Sequence, residues 1–154
     1  MSYANDMPNA EKVSRTDAGL ASELRLSVMR LRRRLSAERE PDNELSSGAM
    51  SVLGVLFRHG GLTLGELAAH ERVQPPSMTR TVNCLEGDGF VARHPHESDR
   101  RLVVVELSDR GREMLLADRR RRDAWLARQL KYLTPAERDI LRAATPLLER
   151  LATA

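Results

Sequence analysis

Apolar residues recur every three or four positions in several stretches of the chain, which is the spacing of one face of an α-helix. A first stripe of this kind runs from residue 20 to residue 35, and Pro41 prevents its continuation. A second stripe follows Ser46, which is suited to cap a helix, and ends at the glycines of residues 60–61. The pattern predicts two helices joined by a short linker.

Two short helices separated by a tight turn are predicted next. The sequence TLGE, residues 63–66, has the form of a capping box, and the helix it opens ends near Glu71. After the turn RVQP, a second helix is predicted from about Pro76 to Glu86, and glycines at positions 87 and 89 close it.

β-branched residues around a polar loop predict a two-stranded hairpin after these helices. FVAR (90–93) and LVVVEL (102–107) are the predicted strands, and HPHESDRR (94–101) is the predicted loop. Two short helices followed by a hairpin form a winged helix-turn-helix, which we assign to residues 45–108. The expected fold class is mainly α with a small β-hairpin wing.

The remaining segments are predicted to be helical or disordered. Ser108 caps a long helix, roughly residues 109–132, and TPAE (134–137) opens a last helix in which Pro146 should produce a kink. Residues 19–44 and 109–154 carry more apolar surface than one small domain uses, which predicts N- and C-terminal dimerisation helices. Residues 1–18 lack periodicity and are predicted to be a disordered tail.

The helix predicted from Pro76 to Glu86 has two chemically different faces. Met78, Val82 and Leu85 form an apolar stripe on a helical wheel. The other side carries Pro76, Thr79, Arg80 and Asn83, with Ser77 and Cys84 at its edge. Short polar side chains and an arginine suit the base edges of a DNA major groove, and backbone N–H groups at the helix start suit phosphate. An ordinary solvated helix face is the alternative explanation.

The predicted hairpin loop carries Arg100 and Arg101 beside Asp99. A planar guanidinium on a projecting loop suits a narrow A·T-rich minor groove, and Asp99 is placed to orient one arginine through a charge-assisted pair. A polar turn alone would explain the charge, but it would not explain the two-faced helix beside it. The combination favours binding to double-stranded DNA.

Composition excludes several other classes of protein. The chain has 154 residues, a net charge of +3 and one cysteine, so it has no internal disulfide framework. No apolar run is long enough to span a membrane and the start lacks a signal peptide, so we expect a cytoplasmic protein without a membrane partner. The thiol of Cys84 lies at the edge of the polar helix face. We state as a hypothesis that oxidation of this thiol disturbs DNA binding.

Catalytic and metal-binding motifs are not expected. The sequence contains no phosphate-binding glycine loop, nucleophile elbow or zinc-protease motif. We therefore expect that the protein is not an enzyme and that it needs no cofactor. His94 and His96 lie in the loop with a proline between them and no distant partner, so no metal is expected. The arginine run 119–122 would suit a nucleic-acid patch, but Glu113, Asp118 and Asp123 around it favour an exposed, salt-bridged helix face.

From about Leu45 to Leu116 the sequence resembles the MarR family of bacterial winged-helix regulators. PPSMTRTVNCLEGDGFVAR is similar to the recognition helix and following strand of that family. DRR, VVVEL and SDRGREML resemble its wing, second wing strand and the start of its long helix. The resemblance implies a homodimer with interleaved outer helices, and a repressor that binds a near-palindromic operator. It also implies release by a small-molecule or oxidant signal. Because redox sensors of the family carry their cysteine in the first helix, which has none here, a phenolic or lipophilic small molecule is the expected effector.

The resemblance also implies a role for particular residues. It assigns major-groove contacts to Pro76, Ser77, Thr79, Arg80 and Asn83, and minor-groove contacts to Arg101 and Arg100. An effector pocket could be lined by Met29, Met50 and Phe57, although ordinary core packing predicts the same residues. Because residues 72–101 hold five arginines and four carboxylates, their net charge is weak for DNA binding. A winged-helix module that binds another protein is therefore the alternative function.

Overall fold

The computed structural model describes residues 15–154, which form six α-helices and three short β-strands. The helices are α1 (Asp17–Ala37), α2 (Ser47–His59), α3 (Leu64–Glu71), α4 (Pro75–Gly87), α5 (Asp109–Leu130) and α6 (Pro135–Thr153), and the strands are β1 (Leu62–Thr63), β2 (Val91–Pro95) and β3 (Val103–Leu107). The mainly helical fold with a β-hairpin wing, predicted from the sequence, is confirmed. The described residues group into two compact units, one of Arg39–Arg128 and one of the residues up to Glu38 with Gln129–Ala154.

Most of the tail predicted for residues 1–18 lies outside the described residues. Helix α1 begins at Asp17, inside the range predicted as tail, because Thr16 caps it. The Thr16 hydroxyl accepts a hydrogen bond from the backbone N–H of Gly19 at 3.1 Å.

None of the helices between residues 15 and 154 is long and apolar enough to cross a membrane.

The hydrophobic core of the unit Arg39–Arg128 forms where the apolar faces of α2, α3 and α4 meet the strands. The largest fully buried apolar side chains are Leu53, Leu56, Leu67, Met78, Leu85, Val52, Val82 and Val105. They include the whole apolar stripe predicted for α4, which is 0–2% exposed. Burying one such side chain stabilises a fold by roughly 1.5–3 kcal/mol, so three together fix how α4 is rotated.

The sheet has three antiparallel strands in the order β1-β3-β2, whereas the sequence pattern predicted two. Strand β1 pairs Leu62 with Val105 and Thr63 with Val104, and two residues are too few to show an alternating pattern. Strand β2 continues to Pro95, so His94 and Pro95 belong to the strand rather than to the predicted loop. Pro95 is tolerated because β2 lies at the edge of the sheet.

Local capping signals place most helix ends where they were predicted. Both capping boxes form, Thr63 with Glu66 at the start of α3 and Thr134 with Glu137 at the start of α6. The Ser108 hydroxyl accepts from the N–H of Gly111 at 3.0 Å and so caps α5. Helix α5 ends at Leu130, two residues before the predicted end, and α6 includes Pro146, where a kink stays a prediction.

Gly111 allows the first turn of α5 to lie directly against the start of β2. A Cβ atom at this position would come within 2.1 Å of the Phe90 carbonyl oxygen, which is far inside van der Waals contact. The glycine of the SDRG motif is therefore required by close backbone packing.

Asp118 of α5 is fully buried, which corrects the prediction of an exposed salt-bridged face around it. Its carboxylate accepts hydrogen bonds from the backbone N–H of Glu40 at 2.9 Å and from Asn43 Nδ2 at 2.7 Å. Arg122, one turn further along α5, pairs with it at 3.3 Å. Since a buried carboxylate is costly without such partners, these contacts hold the linker between α1 and α2 against α5.

The helices α1 and α6 keep their apolar side chains exposed. Neither helix has a buried residue in the single chain. The exposed large apolar residues of these two helices are Leu20, Leu26, Val28, Met29, Leu31, Ile140, Leu141, Leu147, Leu148 and Leu151. Both stripes therefore remain available to a further surface.

Candidate DNA-binding surface

Helix α4 turns all five of its predicted DNA-contact residues to solvent. Because its apolar stripe is buried, the opposite face must point outward. The exposed side chains on that face are Pro76, Ser77, Thr79, Arg80 and Asn83. The structure therefore brings the predicted contact residues of this helix together on one surface.

The first turn of α4 offers few free backbone donors, and the predicted phosphate contact through backbone N–H groups is wrong there. Pro75 and Pro76 occupy the first two helical positions and have no N–H group. The N–H of Ser77 already donates to the carbonyl of Gln74 at 3.0 Å. Contacts to DNA at this end must come from side chains.

Hydroxyl groups on α4 are partly engaged by the helix itself. The Thr79 hydroxyl donates to the Pro75 carbonyl at 3.0 Å, and the Thr81 hydroxyl donates to the Ser77 carbonyl at 3.1 Å. The Thr79 hydroxyl proton is therefore used within the helix, and its exposed side chain can still accept hydrogen bonds or make apolar contact through its methyl group. A methyl group at this position suits contact with the 5-methyl of thymine.

Arg93 of β2 lies against α4 and was not among the residues singled out from the sequence. Its guanidinium donates a hydrogen bond to Asn83 Oδ1, and its Nε lies 3.5 Å from a carboxylate oxygen of Glu86. The turn after α4 makes this possible, because the N–H of Phe90 donates to the Leu85 carbonyl at 2.8 Å and folds the chain back. The glycines at 87 and 89 were the signal for that reversal.

The wing tip holds its charged residues as predicted. Asp99 Oδ1 accepts from the backbone N–H of Arg101 at 3.0 Å and from its Nε at 3.2 Å. The Arg101 side chain is still 92% exposed, and Arg100 is exposed as well. The pair with Asp99 directs one guanidinium without removing it from solvent.

His96 closes the turn that carries these arginines. Its Nδ1 accepts from the backbone N–H of Ser98 at 3.2 Å, and the N–H of Asp99 lies at 3.4 Å. The N–H of His96 donates to the Leu102 carbonyl at 2.9 Å across the turn.

Within residues 15–154 no three His, Cys, Asp or Glu side chains are grouped so as to hold a metal ion.

His94 forms an ion pair at the base of the wing. Its Nδ1 lies 3.1 Å from the Pro95 carbonyl, and its Nε2 lies 3.0 Å from the Glu106 carboxylate. The hydrogen bond to Pro95, followed by that to Glu106, raises the pKa of His94 above its ordinary value. The contact with Glu106 therefore favours the protonated form of the His94 ring.

Helices α3 and α4, followed by a hairpin with exposed arginines at its tip, define the class of winged helix-turn-helix DNA-binding proteins. The sequence model of the MarR family matches residues 45–103. An HTH-type transcriptional regulator of Mycobacterium bovis is 48% identical over 133 residues, which cover 86% of this chain and 92% of that protein. The chain belongs to the MarR family, a family of transcription regulators rather than enzymes.

Two further comparisons agree with this assignment. The HTH-type transcriptional repressor MdtR of Bacillus subtilis is 32% identical, and the match covers 81% of each chain. The crystal structure of a transcriptional regulator from Pseudomonas aeruginosa has a TM-score of 0.80 at 36% identity. That comparison covers 92% of this chain and 99% of the other.

Proposed function

We propose that this chain acts as a homodimeric repressor that binds a pseudo-palindromic operator through α4 and the wing. The observation that carries the proposal is the outward presentation of one continuous polar face on α4 beside the exposed wing arginines. A protein-interaction module would not require a guanidinium that is oriented by a carboxylate and still left in solvent.

Dimerisation is supported by the exposed apolar stripes of α1 and α6. Ile140 and Leu151 are 67% and 66% exposed in the single chain, and large exposed apolar patches mark interaction sites. Pairing these helices across a two-fold axis would place two copies of α4 about 34 Å apart, one helical turn of DNA. An operator with two-fold symmetry follows from that arrangement.

Specific contacts are proposed for the residues that face outward. Arg80 binds the O6 and N7 of a guanine bidentately, and Ser77 and Thr79 approach neighbouring base edges or phosphates. Arg101 enters a narrow minor groove, Asp99 orients it, and Arg100 binds nearby. Pro76 and Asn83 complete the surface on α4.

Repression and its release are the finer part of the proposal. The relative MdtR is named a repressor, which supports repression of transcription by this chain as well. We propose that it acts on DNA in the cytoplasm. A phenolic or lipophilic effector would release the operator by changing the spacing of the two α4 helices. Of the candidate pocket residues, Met50 is buried in the core and Phe57 lies under the guanidinium groups of Arg112 and Arg119. Only Met29 is largely exposed in the single chain.

Selection of genomic fragments with the purified protein tests the proposal. A near-palindromic site should be enriched, and its affinity should fall steeply as salt rises, because bound arginines release counterions from DNA. Arg58→Ala on α2 removes the same charge from an exposed position outside α4, the wing and the proposed dimerisation helices, and is the matched control for Arg80→Ala. If no fragment is enriched and affinity is independent of salt, the protein-interaction module becomes the better explanation.

A further inference from the structure

We propose that Arg93 is a positioning residue for DNA recognition, which holds Asn83 of α4 with its amide nitrogen outward as a hydrogen-bond donor to DNA. The inference rests on the proposed function and concerns how one contact of that surface is made. It adds Arg93 to the residues that determine DNA binding, although the contacts of its own side chain are with Asn83 and Glu86.

The backbone of Arg93 is fixed by the sheet. Arg93 pairs with Val105 of the central strand β3, and Val105 is fully buried. The guanidinium therefore extends from a rigid base, and the Arg93 side chain is 26% exposed against the C-terminal half of α4. Its Nε lies 3.5 Å from a carboxylate oxygen of Glu86, which is an ion-pair contact without a hydrogen bond.

The chemistry of the guanidinium sets the orientation of the Asn83 amide. A guanidinium has only donors, so the Asn83 atom that faces it is the oxygen Oδ1. The amide nitrogen Nδ2 must then point away from Arg93, on the exposed side of α4. Among residues 15–154 no acceptor contacts Nδ2.

An asparagine held in this way presents two N–H hydrogens to whatever approaches α4. DNA offers matching acceptors at guanine O6 and N7, at thymine O4 and at phosphate oxygens. Without Arg93 the amide could rotate and present oxygen or nitrogen with similar ease. Arg93 thus fixes the rotation of the Asn83 amide in the free protein, and this preorganisation strengthens DNA binding.

A double-mutant cycle on the enriched operator tests the proposal with wild type, Arg93→Met, Asn83→Ala and the double variant. Each single change should weaken binding by roughly three- to tenfold, the equivalent of one net hydrogen bond. The double variant should bind no more weakly than Asn83→Ala, because Arg93 acts through Asn83. Arg93→Lys keeps one donor and the charge, and should recover part of the affinity.

A panel of duplexes with single base-pair changes distinguishes a base contact of Nδ2 from a phosphate contact, and a loss of preference at one base pair would not result from general destabilisation of α4. If Nδ2 contacts a base, Arg93→Met and Asn83→Ala should lose preference at the same base pair. If it contacts a phosphate, both should lose affinity uniformly over the panel. Either pattern, with coupling in the cycle, supports the positioning role.

Equal losses on changing Arg93 with and without the Asn83 side chain would overturn the proposal, since Arg93 would then act independently. Thermal melting identifies a variant that fails to fold, in which case the same cycle is run with Arg93→Lys. If wild type binds its operator and Asn83→Ala binds equally well, this inference alone is wrong. If wild type enriches no site, the proposed function itself fails.

Discussion

Asn43 and Asp118 meet in the interior of the unit Arg39–Arg128, where Asn43 Nδ2 donates to Asp118 Oδ2 at 2.7 Å. Asn43 is 6% exposed and Asp118 is 0% exposed, although 75 positions separate them. The bond ties the linker before α2 to α5.

Asn43→Ala should destabilise the protein by about 1–3 kcal/mol, because it leaves a buried carboxylate oxygen with fewer partners. Denaturant unfolding measures the loss. Arg121→Ala is the matched control, since Arg121 lies 4.0 Å from Glu40 and the pair is substantially exposed, and it should change stability by less than about 1 kcal/mol. Equal effects of the two changes would show that the buried bond is unimportant.

Arg80→Ala should weaken operator binding by about 1–3 kcal/mol and relax the preference at one base position. The physical reason is the loss of two parallel hydrogen bonds to a guanine. Fluorescence anisotropy with duplexes changed one base pair at a time measures both effects, and Arg58→Ala should leave the profile unchanged. A uniform loss over all duplexes would make Arg80 a phosphate contact.

Arg101→Ala should lower affinity most for operators with A·T-rich flanks, where the narrow minor groove concentrates negative potential. Binding to matched duplexes that differ only in their flanks measures the difference. Asp99→Asn should cause a smaller loss in the same direction, because it weakens the orientation of Arg101 while keeping its charge. Equal losses on G·C-rich flanks would argue against insertion into the minor groove.

His96→Ala should loosen the wing tip, because Ser98 and Asp99 lose the Nδ1 acceptor that faces their backbone N–H groups. Hydrogen exchange at these two amides should speed up, while amides of α4 keep their protection. His96→Asn can supply an acceptor at this turn and should restore part of the protection. Unchanged exchange in His96→Ala would mean that backbone hydrogen bonds alone hold the turn.

The ion pair between His94 and Glu106 should make stability depend on pH. Because the folded pKa of His94 is raised from the ordinary value of 6.5, its contribution is full below that value. It is lost as pH rises through the raised folded pKa. Melting temperatures across this range should show a pH-dependent advantage of wild type over His94→Gln that disappears at the upper end. A constant difference at every pH would show that protonation of His94 does not contribute.

Local signals in the sequence were sufficient for the helices and for most of the candidate surface. The stripe of Met78, Val82 and Leu85 predicted which face of α4 would be buried, since helical geometry makes residues three and four apart neighbours. The capping boxes and the pair of Asp99 with Arg101 were predictable for the same reason, as their partners lie two or three positions apart. The particular contacts of the outward residues with DNA stay predictions.

Contacts between distant segments were decided only by the tertiary structure. Strand β1 exists because β3 lies beside it, and Arg93 reaches Asn83 because β2 folds back along α4. The sequence spacing of Asp118 and Arg122 along α5 is the same whether this pair is exposed or buried. The sequence therefore did not reveal that Asp118 is buried. The sequence by itself determined the elements and their inward faces through short-range periodicity. Packing determined the long-range polar partners, because a side chain's environment depends on which element folds against it.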